Sequence, residues 1–392
     1  MTDRRTAGRG DLTRVEILAL LGTAGALDRR QIATRLKLGD ATVHEHTRRL
    51  LDSGYLRVLA PRAGAVGRPR IPLQVVPEAA ATVGVRVATD HLVTVVAGLD
   101  GRTLTSDVSP FDCHANPIPQ ILSVIGRRLA DPAVGPRLKA AGVAVPASVD
   151  AGYIRFCPRF GWSNLPLGER LRAELPIPVF VDNDLTASTT AELLYRTGRE
   201  HDDFLVLGIG DGVGVGAVLR RRVHRGPSGL SGQFGHTPVA ATGPRCACGA
   251  RGCLETFTSD DGILRAARRE GLAGASTTIE ELRSRWVSGE RSLAGVLAEV
   301  GAVLGRAVAG VVNLLGTATI AVIGENHVLW PGLEPGFSAV MRTSQVTAAY
   351  RVHVIVRPWS DAQHALGAAG LALAAPETLR IEPPGPSGKY RS

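Results

Sequence analysis

The sequence predicts an α/β protein in which an N-terminal winged helix-turn-helix precedes a larger body that carries a cysteine-rich metal loop. Residues 1–72 contain fourteen Lys or Arg and seven Asp or Glu, so they supply +7 of the formal net charge of +9. Such asymmetry is typical of a nucleic-acid-binding module. Three of the five cysteines fall within positions 246–253, and His236 lies ten residues before them. After residue 78, apolar runs typical of buried strands alternate with helical segments.

Length and composition limit the possibilities further. A chain of 392 residues predicts two or three domains, and 44% apolar residues are enough to build their cores. The sequence lacks a run of about eighteen apolar residues, so we expect no membrane span. The first residues, MTDRRTAGRGDL, lack the apolar segment of a secretion signal. Few cysteines fit a reducing cytoplasm, and Cys113 and Cys157 are expected to be free core thiols.

The N-terminal region reads as a flexible segment, residues 1–10, followed by a DNA-binding domain, residues 11–78. A first helix covers residues 12–21, Asp28 caps a second helix, and Asp40 caps a third helix that stops at Gly54. Two short helices joined by a Gly-containing turn form a helix-turn-helix, whose second helix would enter the major groove of DNA. Its outward side chains, the candidate DNA contacts, are Thr42, His44, Glu45, Arg48 and Arg49.

A wing follows these helices. After Gly54, two short β-like runs flank a loop rich in Gly and Arg. The alternative interpretations are a solvated basic face, from the charge, or a small helical domain that contacts another protein. The combination of charge, caps and wing favours DNA.

The cysteine cluster predicts a metal site. His236, Cys246, Cys248 and Cys253 form a Cys3His set, which suits tetrahedral zinc. Four protein ligands leave no position for water, so such a zinc would be structural. The glycines at 249 and 252 let the backbone turn tightly between ligands. The alternative is unliganded thiols or a disulfide, although one intervening residue makes a Cys246–Cys248 bridge sterically poor.

Two motifs in this region carry a family resemblance. G-x-x-G-Q-x-G-H runs from Gly229 to His236, and C-x-C-G-x-x-G-C-x-E runs from Cys246 to Glu255. Together they resemble the signature of the ROK family (repressors, open reading frames and sugar kinases), and the resemblance extends over nearly the whole chain.

The resemblance implies a two-lobed, actin/hexokinase-like (ribonuclease H-like) α/β body. The N-terminal lobe would cover residues 79–180, and the C-terminal lobe residues 181–375 with the zinc loop at 236–253. A closing helix, 361–375, can pack on the N-terminal lobe. Residues 376–392 are rich in Pro and Gly and are expected to form a disordered tail. In family repressors an extended Arg follows the helix-turn-helix, which makes Arg68 and Arg70 candidate minor-groove contacts.

The resemblance also implies a sugar site. In ROK kinases the residue matching Asp184 is the general base, and the one matching Asn183 binds a neighbouring hydroxyl. Taken by themselves, these two residues could equally be caps of the helix that follows. His236 could offer its second ring nitrogen to a hydroxyl. The complete set of expected sugar contacts is Asn164, Asn183, Asp184, Gln233, His236 and Glu255.

The nucleotide side departs from the kinase pattern at three places. Arg86 and Ala88 stand where kinases have an acid and a glycine, Asp211 stands at a phosphate-contacting Thr, and Glu325 at a glycine beside adenosine. These changes predict that ATP binding is lost. The chain is therefore expected to be no enzyme, with no catalytic residue and with Asp184 as a vestigial general base.

The sequence therefore predicts a sugar-responsive, DNA-binding transcriptional regulator of carbohydrate-related genes, a repressor by the habit of the family. Its partners would be a double-stranded DNA operator, a sugar or sugar derivative, and further copies of itself in a homodimer or homotetramer. One alternative is an ATP-dependent hexose or aminosugar kinase with an appended DNA-binding domain. Another is a constitutive DNA-binding protein whose body only dimerises.

Overall fold

The computed structural model describes residues 9–61, 70–226, 229, 231–344, 351–375 and 378. In this part of the chain the α-helices, in order, are α1 (Arg9–Ala24), α2 (Arg29–Leu36), α3 (Asp40–Asp52), α4 (Pro117–Ala130), α5 (Leu167–Glu174), α6 (Asp184–Tyr195), α7 (Glu255–Thr258), α8 (Asp260–Arg269), α9 (Ile279–Val287), α10 (Ala294–Leu315), α11 (Trp330–Ser344) and α12 (Asp361–Ala374).

The strands, numbered in the same way, are β1 (Leu56–Val58), β2 (Leu73–Val75), β3 (Ala81–Val87), β4 (His91–Gly98), β5 (Thr103–Pro110), β6 (Leu138–Val145), β7 (Ser148–Asp150), β8 (Tyr153–Cys157), β9 (Trp162–Leu165), β10 (Val179–Asn183), β11 (Phe204–Ile209), β12 (Val213–Leu219), β13 (Arg222–Val223), β14 (Thr319–Ile323) and β15 (His353–Val356). The chain forms two compact units. The first contains Met1–Val145, Pro166–Asp182 and His364–Ser392, and the second contains Pro146–Leu165 and Asn183–Gln363.

The first unit begins with three helices and a two-stranded sheet. Asp28 caps α2 in a capping box with Gln31, as local sequence rules lead one to expect. The predicted cap of α3 is wrong, because Gly39 occupies the cap position and Asp40 is the first helical residue. The Asp40 carboxylate still lies in the first turn, where the helix dipole favours negative charge. The helices share a core made of Ile17, Leu18, Leu21, Ile32, Val43 and Leu50.

Strands β1 and β2 form the stem of a wing. They pair antiparallel, and the Arg57 guanidinium donates across the pair to Gln74 Oε1. Residues 62–69 of the connecting loop, Arg68 included, lie outside the described residues. Helix α1 also packs on the lobe that follows, because Gly22 lies directly against the backbone of Asp100.

The lobe of the first unit is built on a five-stranded sheet in the order β10-β6-β3-β4-β5. Strands β3, β4 and β5 run antiparallel, while β6 is parallel to β3. Helix α12 packs closely on this sheet, because Gly84 and Gly142 leave room for the backbone carbonyls of Ala365 and Ala368. The Thr82 hydroxyl donates to the Ala369 carbonyl, 3.0 Å away.

The second unit repeats the same topology. Its larger sheet has the order β13-β12-β11-β14-β15, with β11 and β12 antiparallel and β14 parallel to both β11 and β15. Each unit thus has the strand order 3-2-1-4-5, counted along its own sheet. A smaller antiparallel sheet, β7-β8-β9, belongs to the same unit.

Helix α10 is long and apolar enough to cross a membrane by length and composition, and it is the one such helix in the described residues. Half of its apolar window is buried in this fold. It packs chiefly on α11, where Gly301 and Gly305 lie against the backbone of Leu333 and Phe337.

The predicted lobe boundaries differ from these units at residues 146–165 and 181–182. Residues 146–165 belong to the second unit, because β7, β8 and β9 pair with one another and Gly229 packs on the backbone of Val149. Residues 364–375 belong to the first unit through the packing of α12. Residues 1–8 of the predicted flexible segment lie outside the described residues. The predicted tail does also, apart from Thr378, whose hydroxyl donates to the Ala372 carbonyl.

Candidate functional site

The predicted metal ligands come together in the second unit. The ligand atoms of His236, Cys246, Cys248 and Cys253 all lie within 4.8 Å of one another. Cys246 Sγ is 3.5 Å from His236 Nδ1, and Cys248 Sγ is 3.8 Å from Cys253 Sγ. A tetrahedral zinc with usual bond lengths gives S···N and S···S separations of about 3.6 and 3.8 Å. The donor set and its spacing therefore fit zinc.

The backbone of the loop explains this convergence. Gly249 and Gly252 have φ of 94° and 70°, a region that favours glycine. The Gly249 N–H donates to the Cys246 carbonyl, and Cys253 pairs with Pro238 in an isolated bridge. Cys246, Cys248 and Cys253 form no disulfide in this structure, so the disulfide alternative is not supported. His236 turns Nδ1 toward the cluster, which leaves Nε2 for another partner.

Asn183 and Asp184 lie where β10 ends and α6 begins. Asn183 Oδ1 caps the helix by accepting from the N–H groups of Leu185 and Thr186, at 2.9 and 3.3 Å. Asn183 Nδ2 donates to the Ala147 carbonyl at 2.9 Å, and Asp184 Oδ1 accepts from Leu185 N at 2.7 Å. Both side chains thus bind backbone groups around the start of α6.

Leu185 connects this helix start to the other predicted sugar residues. Its side chain lies against Gly208, Gly214 and Gly232, so α6 begins beside the β11–β12 hairpin and the G-x-x-G-Q-x-G-H segment. Glu255 approaches the same hairpin from α7, with Oε2 accepting from the Val213 N–H at 3.4 Å. Gln233 is exposed next to Gly232. The second unit therefore holds Asn183, Asp184, Gln233, His236 and Glu255 on segments that pack against the β11–β12 hairpin.

Asn164 joins this region less directly. It is exposed on β9 of the small sheet and has a left-handed φ of 51°. Its carbonyl accepts from the Tyr153 hydroxyl at 3.0 Å. The small sheet begins one residue after Ala147, which accepts from Asn183. The backbone therefore places Asn164 on the element next to the helix start.

The glycine-rich turn between β11 and β12 is surrounded by carboxylates. Asp211 stands at its tip, the Glu325 carboxylate occupies the space beside Gly210, and Glu255 Oε2 lies beside Gly212. Arg159 of the β8–β9 turn forms an ion pair with Asp211. The sequence analysis missed Arg159, because a single Arg in a turn carries no spacing signal for a partner 52 positions away.

A buried polar network fixes the other side of this turn. Arg283 donates to both oxygens of Asp260 at 2.8 and 2.9 Å, and Asn326 Nδ2 donates to Asp260 Oδ1 at 2.7 Å. The backbone N–H of Asp260 donates to the Gly210 carbonyl at 2.9 Å. Asn326 is fully buried. The turn is therefore held by residues of α8, α9 and the segment that follows β14.

In the first unit, Arg86 lies in the middle of the sheet on β3. It pairs with Val93 of β4 and Ala144 of β6. Its charge contributes, after burial, to holding the pKa of His364 down to about 3. A cation thus stands at the position where the kinase pattern has an acid.

The candidate DNA-reading surface is the outer face of α3. His44, Glu45, Arg48 and Arg49 are exposed, while Thr42 is half-buried. Arg49 pairs with Glu45 at 2.8 Å, so one positive charge of this face is partly offset. On the inner face, burial and the nearby Arg14 lower the pKa of His46. Arg48 lies 4.0 Å from Asp52 and is the more exposed of the two arginines of this helix, at 76% against 53% for Arg49.

Two arginines outside α3 lie close to this helix-turn-helix. Arg70 is exposed and lies 3.8 Å from the Asp28 carboxylate, so it stands near the start of α2. Arg29, which the sequence analysis did not select, donates from Nε to the buried Thr47 hydroxyl at 2.9 Å. That bond ties α2 to the inner face of α3 and helps to set the orientation of the outer face.

Comparison with known sequences identifies both parts of the chain. A family profile described as the ROK family matches residues 82–375. The chain belongs to the ROK family. A second profile, described as winged helix-turn-helix DNA-binding, matches residues 11–57 of this ROK protein.

Relatives of this chain are named as transcriptional regulators or repressors. The ROK chain is 26% identical over 383 residues to the DNA-binding transcriptional dual regulator NagC of Escherichia coli (strain K12), covering 92% of each protein. It is 27% identical over 361 residues to the DNA-binding transcriptional repressor Mlc of the same strain, covering 87% of each. It is 24% identical over 244 residues to the xylose repressor of Bacillus subtilis (strain 168), and that alignment spans 61% of this chain and 64% of the repressor.

Solved structures support the fold. A ROK family transcriptional regulator described as a homologue of the E. coli Mlc protein superposes with a TM-score of 0.76 at 23% identity, covering 95% of this chain and 98% of that one. A ROK glucokinase from Streptomyces griseus, with glucose and AMPPNP, superposes with a TM-score of 0.63 at 21% identity over 74% of this chain and 98% of the kinase. The predicted family and the predicted fold class are confirmed.

Proposed function

We propose that this ROK protein is a sugar-responsive transcriptional regulator, acting as a repressor of carbohydrate-related genes. One observation supports this most strongly. A single chain joins a winged helix-turn-helix, matched over residues 11–57, to a ROK body, matched over residues 82–375. Relatives named as a transcriptional dual regulator and a transcriptional repressor are similar over most of the chain, although they share only about a quarter of its residues.

The effector is a sugar or sugar derivative that contacts the second unit. Asp184, Glu255 and Gln233 offer acceptors for hydroxyl groups, and Asn183 offers an N–H. His236 Nε2 would donate or accept while Nδ1 binds zinc, so a structural zinc supports the sugar-binding side chain. Asn164 is a further contact from the small sheet.

We propose that the protein has lost nucleotide binding. The glycine turn carries Asp211 and lies beside Glu325 and Glu255, and like charges so close to a phosphate oxygen disfavour its binding. In the first unit Arg86 replaces the acid that orients the metal–nucleotide in ROK kinases. The protein would therefore bind its sugar without phosphorylating it.

The DNA partner is a two-fold operator bound by a homodimer or homotetramer, since two copies present two recognition helices to a pseudo-palindrome. The candidate contacts are Thr42, His44, Glu45, Arg48, Arg49, Arg68 and Arg70. A cytoplasmic location follows from this role.

The kinase alternative rests on Asp184, which stands at the start of α6 and matches the position of the general base in ROK kinases. The discriminating experiment is thermal unfolding with glucose, N-acetylglucosamine or xylose, each with and without Mg-ATP. We expect one of these sugars to raise Tm and Mg-ATP to add nothing, because a ligand that binds only the folded state stabilises it. Release of ADP that depends on a sugar would establish the kinase. Absence of any sugar effect would favour a constitutive DNA-binding protein.

A further inference from the structure

An ion pair joins two hairpins of the second unit, and the sequence did not predict that these hairpins meet. Arg159 lies in the turn between β8 and β9, and Asp211 lies in the turn between β11 and β12. Arg159 Nη1 contacts Asp211 Oδ2. Both side chains are about half exposed, at 43% and 54%. The pair is therefore accessible to a ligand and to solvent, and it is not a core contact.

Each hairpin leads to a proposed sugar contact. The β8–β9 hairpin carries Asn164 on its second strand. The β11–β12 hairpin begins its second strand at Val213, whose N–H donates to Glu255 Oε2. Movement of the Asp211 turn would therefore move the backbone group that holds Glu255.

Asp184 lies near the same pair. The charges of Asp184 and Arg159 both act on the thiol of Cys157, the last residue of β8, with opposite effects on its pKa. Burial dominates and raises the pKa of this thiol to about 11. Arg159 and the vestigial general base thus approach one buried side chain from different elements.

The carboxylates around the glycine turn favour a positive charge at the position of Arg159. The turn at Gly210–Gly212 bears Asp211 and has the carboxylates of Glu325 and Glu255 beside its two glycines. Three negative charges around one turn repel one another, and the repulsion grows where solvent is partly excluded. Arg159 supplies a positive charge to this group and offsets part of the repulsion.

We infer that Arg159 and Asp211 form a staple that positions the glycine turn, and through it Glu255, for sugar binding. This inference rests on the proposed sugar response. The two residues are positioning residues, since they act through Val213 and Glu255. Without the staple, the turn would move away from the neighbouring carboxylates and Glu255 would lose its fixed acceptor geometry.

The test uses the full-length protein with four changes: Arg159→Ala, Asp211→Ala, the double reversal Arg159→Asp with Asp211→Arg, and the control Arg155→Ala. Arg155 makes a similar exposed ion pair with Asp150, at 2.9 Å, within the small sheet. Hydrogen exchange of residues 208–214 in ligand-free protein measures the staple itself. Calorimetric titration with glucose, N-acetylglucosamine and xylose measures its consequence.

We expect both single changes at the staple to speed exchange at Gly212 and Val213. They should also weaken binding of the active sugar by about 1.4-fold to fivefold, the range of a partly exposed ion pair. The double reversal should recover most of both effects, and Arg155→Ala should leave both unchanged. Recovery by reversed charge is not expected if the side chains matter only for packing.

The two failures can be told apart. Unchanged exchange in Arg159→Ala and Asp211→Ala would overturn the staple, whatever the sugar result. Faster exchange with unchanged sugar affinity would overturn its positioning role. Faster exchange in the two single variants, together with a wild-type protein that binds none of the three sugars, would leave the staple standing and contradict the proposed function.

Discussion

Replacing Cys253 by Ser should remove the metal from the Cys3His cluster. Cys253 is buried, and its Sγ lies 3.8 Å from Cys248 Sγ, a distance that matches one edge of a zinc tetrahedron. A metal that binds the folded state at one hundred times its Kd stabilises that state by about 2.7 kcal/mol. For a unit of about 200 residues this corresponds to a rise in Tm of about 5–10 °C.

The assay compares Tm with added zinc and with a chelator in the same protein, so that the cost of burying a serine hydroxyl cancels. Wild type should contain one zinc per chain by elemental analysis and lose about 5–10 °C with the chelator. Cys253→Ser should contain none and show no difference between the two conditions. Cys113→Ser, a change at a buried thiol of the other unit, should keep both the zinc and the difference. Wild-type protein that is prepared reduced, lacks zinc and does not respond to added zinc would refute the assignment.

Three further changes test other parts of the structure. Arg48→Ala should weaken DNA binding and lower the slope of log affinity against log salt by about one, while Arg306→Ala on α10 should do neither, as measured by fluorescence anisotropy. The pKa of His364 is about 3 in the folded protein and about 6.5 in the unfolded chain, so above pH 6.5 the side chain is neutral in both states and does not lower the free energy of unfolding. Below that pH the unfolded chain binds a proton that the folded protein does not, so the free energy of unfolding should fall by up to about 1.4 kcal/mol per pH unit. Urea titrations should show that the free energy of unfolding of His364→Gln falls less steeply with decreasing pH than that of wild type. Gly142→Ala places a Cβ against the Ala368 carbonyl and should destabilise the fold by about 1–3 kcal/mol. Gly126→Ala, whose Cβ meets open space on α4, should stabilise the fold by about 0.5–1 kcal/mol. Equal effects of the two changes in urea titration would contradict the packing of α12.

Features determined by neighbouring residues were predictable from sequence. The Asp28 cap depends on Gln31, three positions later, and the metal ligands lie in a short loop whose spacing specifies their chemistry. The Cys3His cluster forms as expected for the same reason. The cap of α3 was mispredicted because Asp40 and Gly39 are both acceptable at a helix start, and local sequence does not choose between them.

Features that depend on distant parts of the chain were not predictable. Arg159 and Asp211 are 52 positions apart, and nothing local connects a turn of the small sheet to the glycine hairpin. The membership of residues 146–165 in the second unit depends on strand pairing and on Gly229, more than sixty positions away. The sequence also left the role of Asn183 open. In the structure its side-chain oxygen caps α6 and one N–H donates to the Ala147 carbonyl, which limits what Asn183 can offer a sugar.

Selection of genomic DNA fragments by the purified protein, at fixed salt and with or without each of the three sugars, tests the central claim most directly. The account predicts a discrete two-fold site that one sugar releases or tightens, and loss of that sugar effect in Asp184→Ala without loss of DNA binding. Retention of DNA that depends on salt but not on sequence, and that no sugar alters, would contradict it.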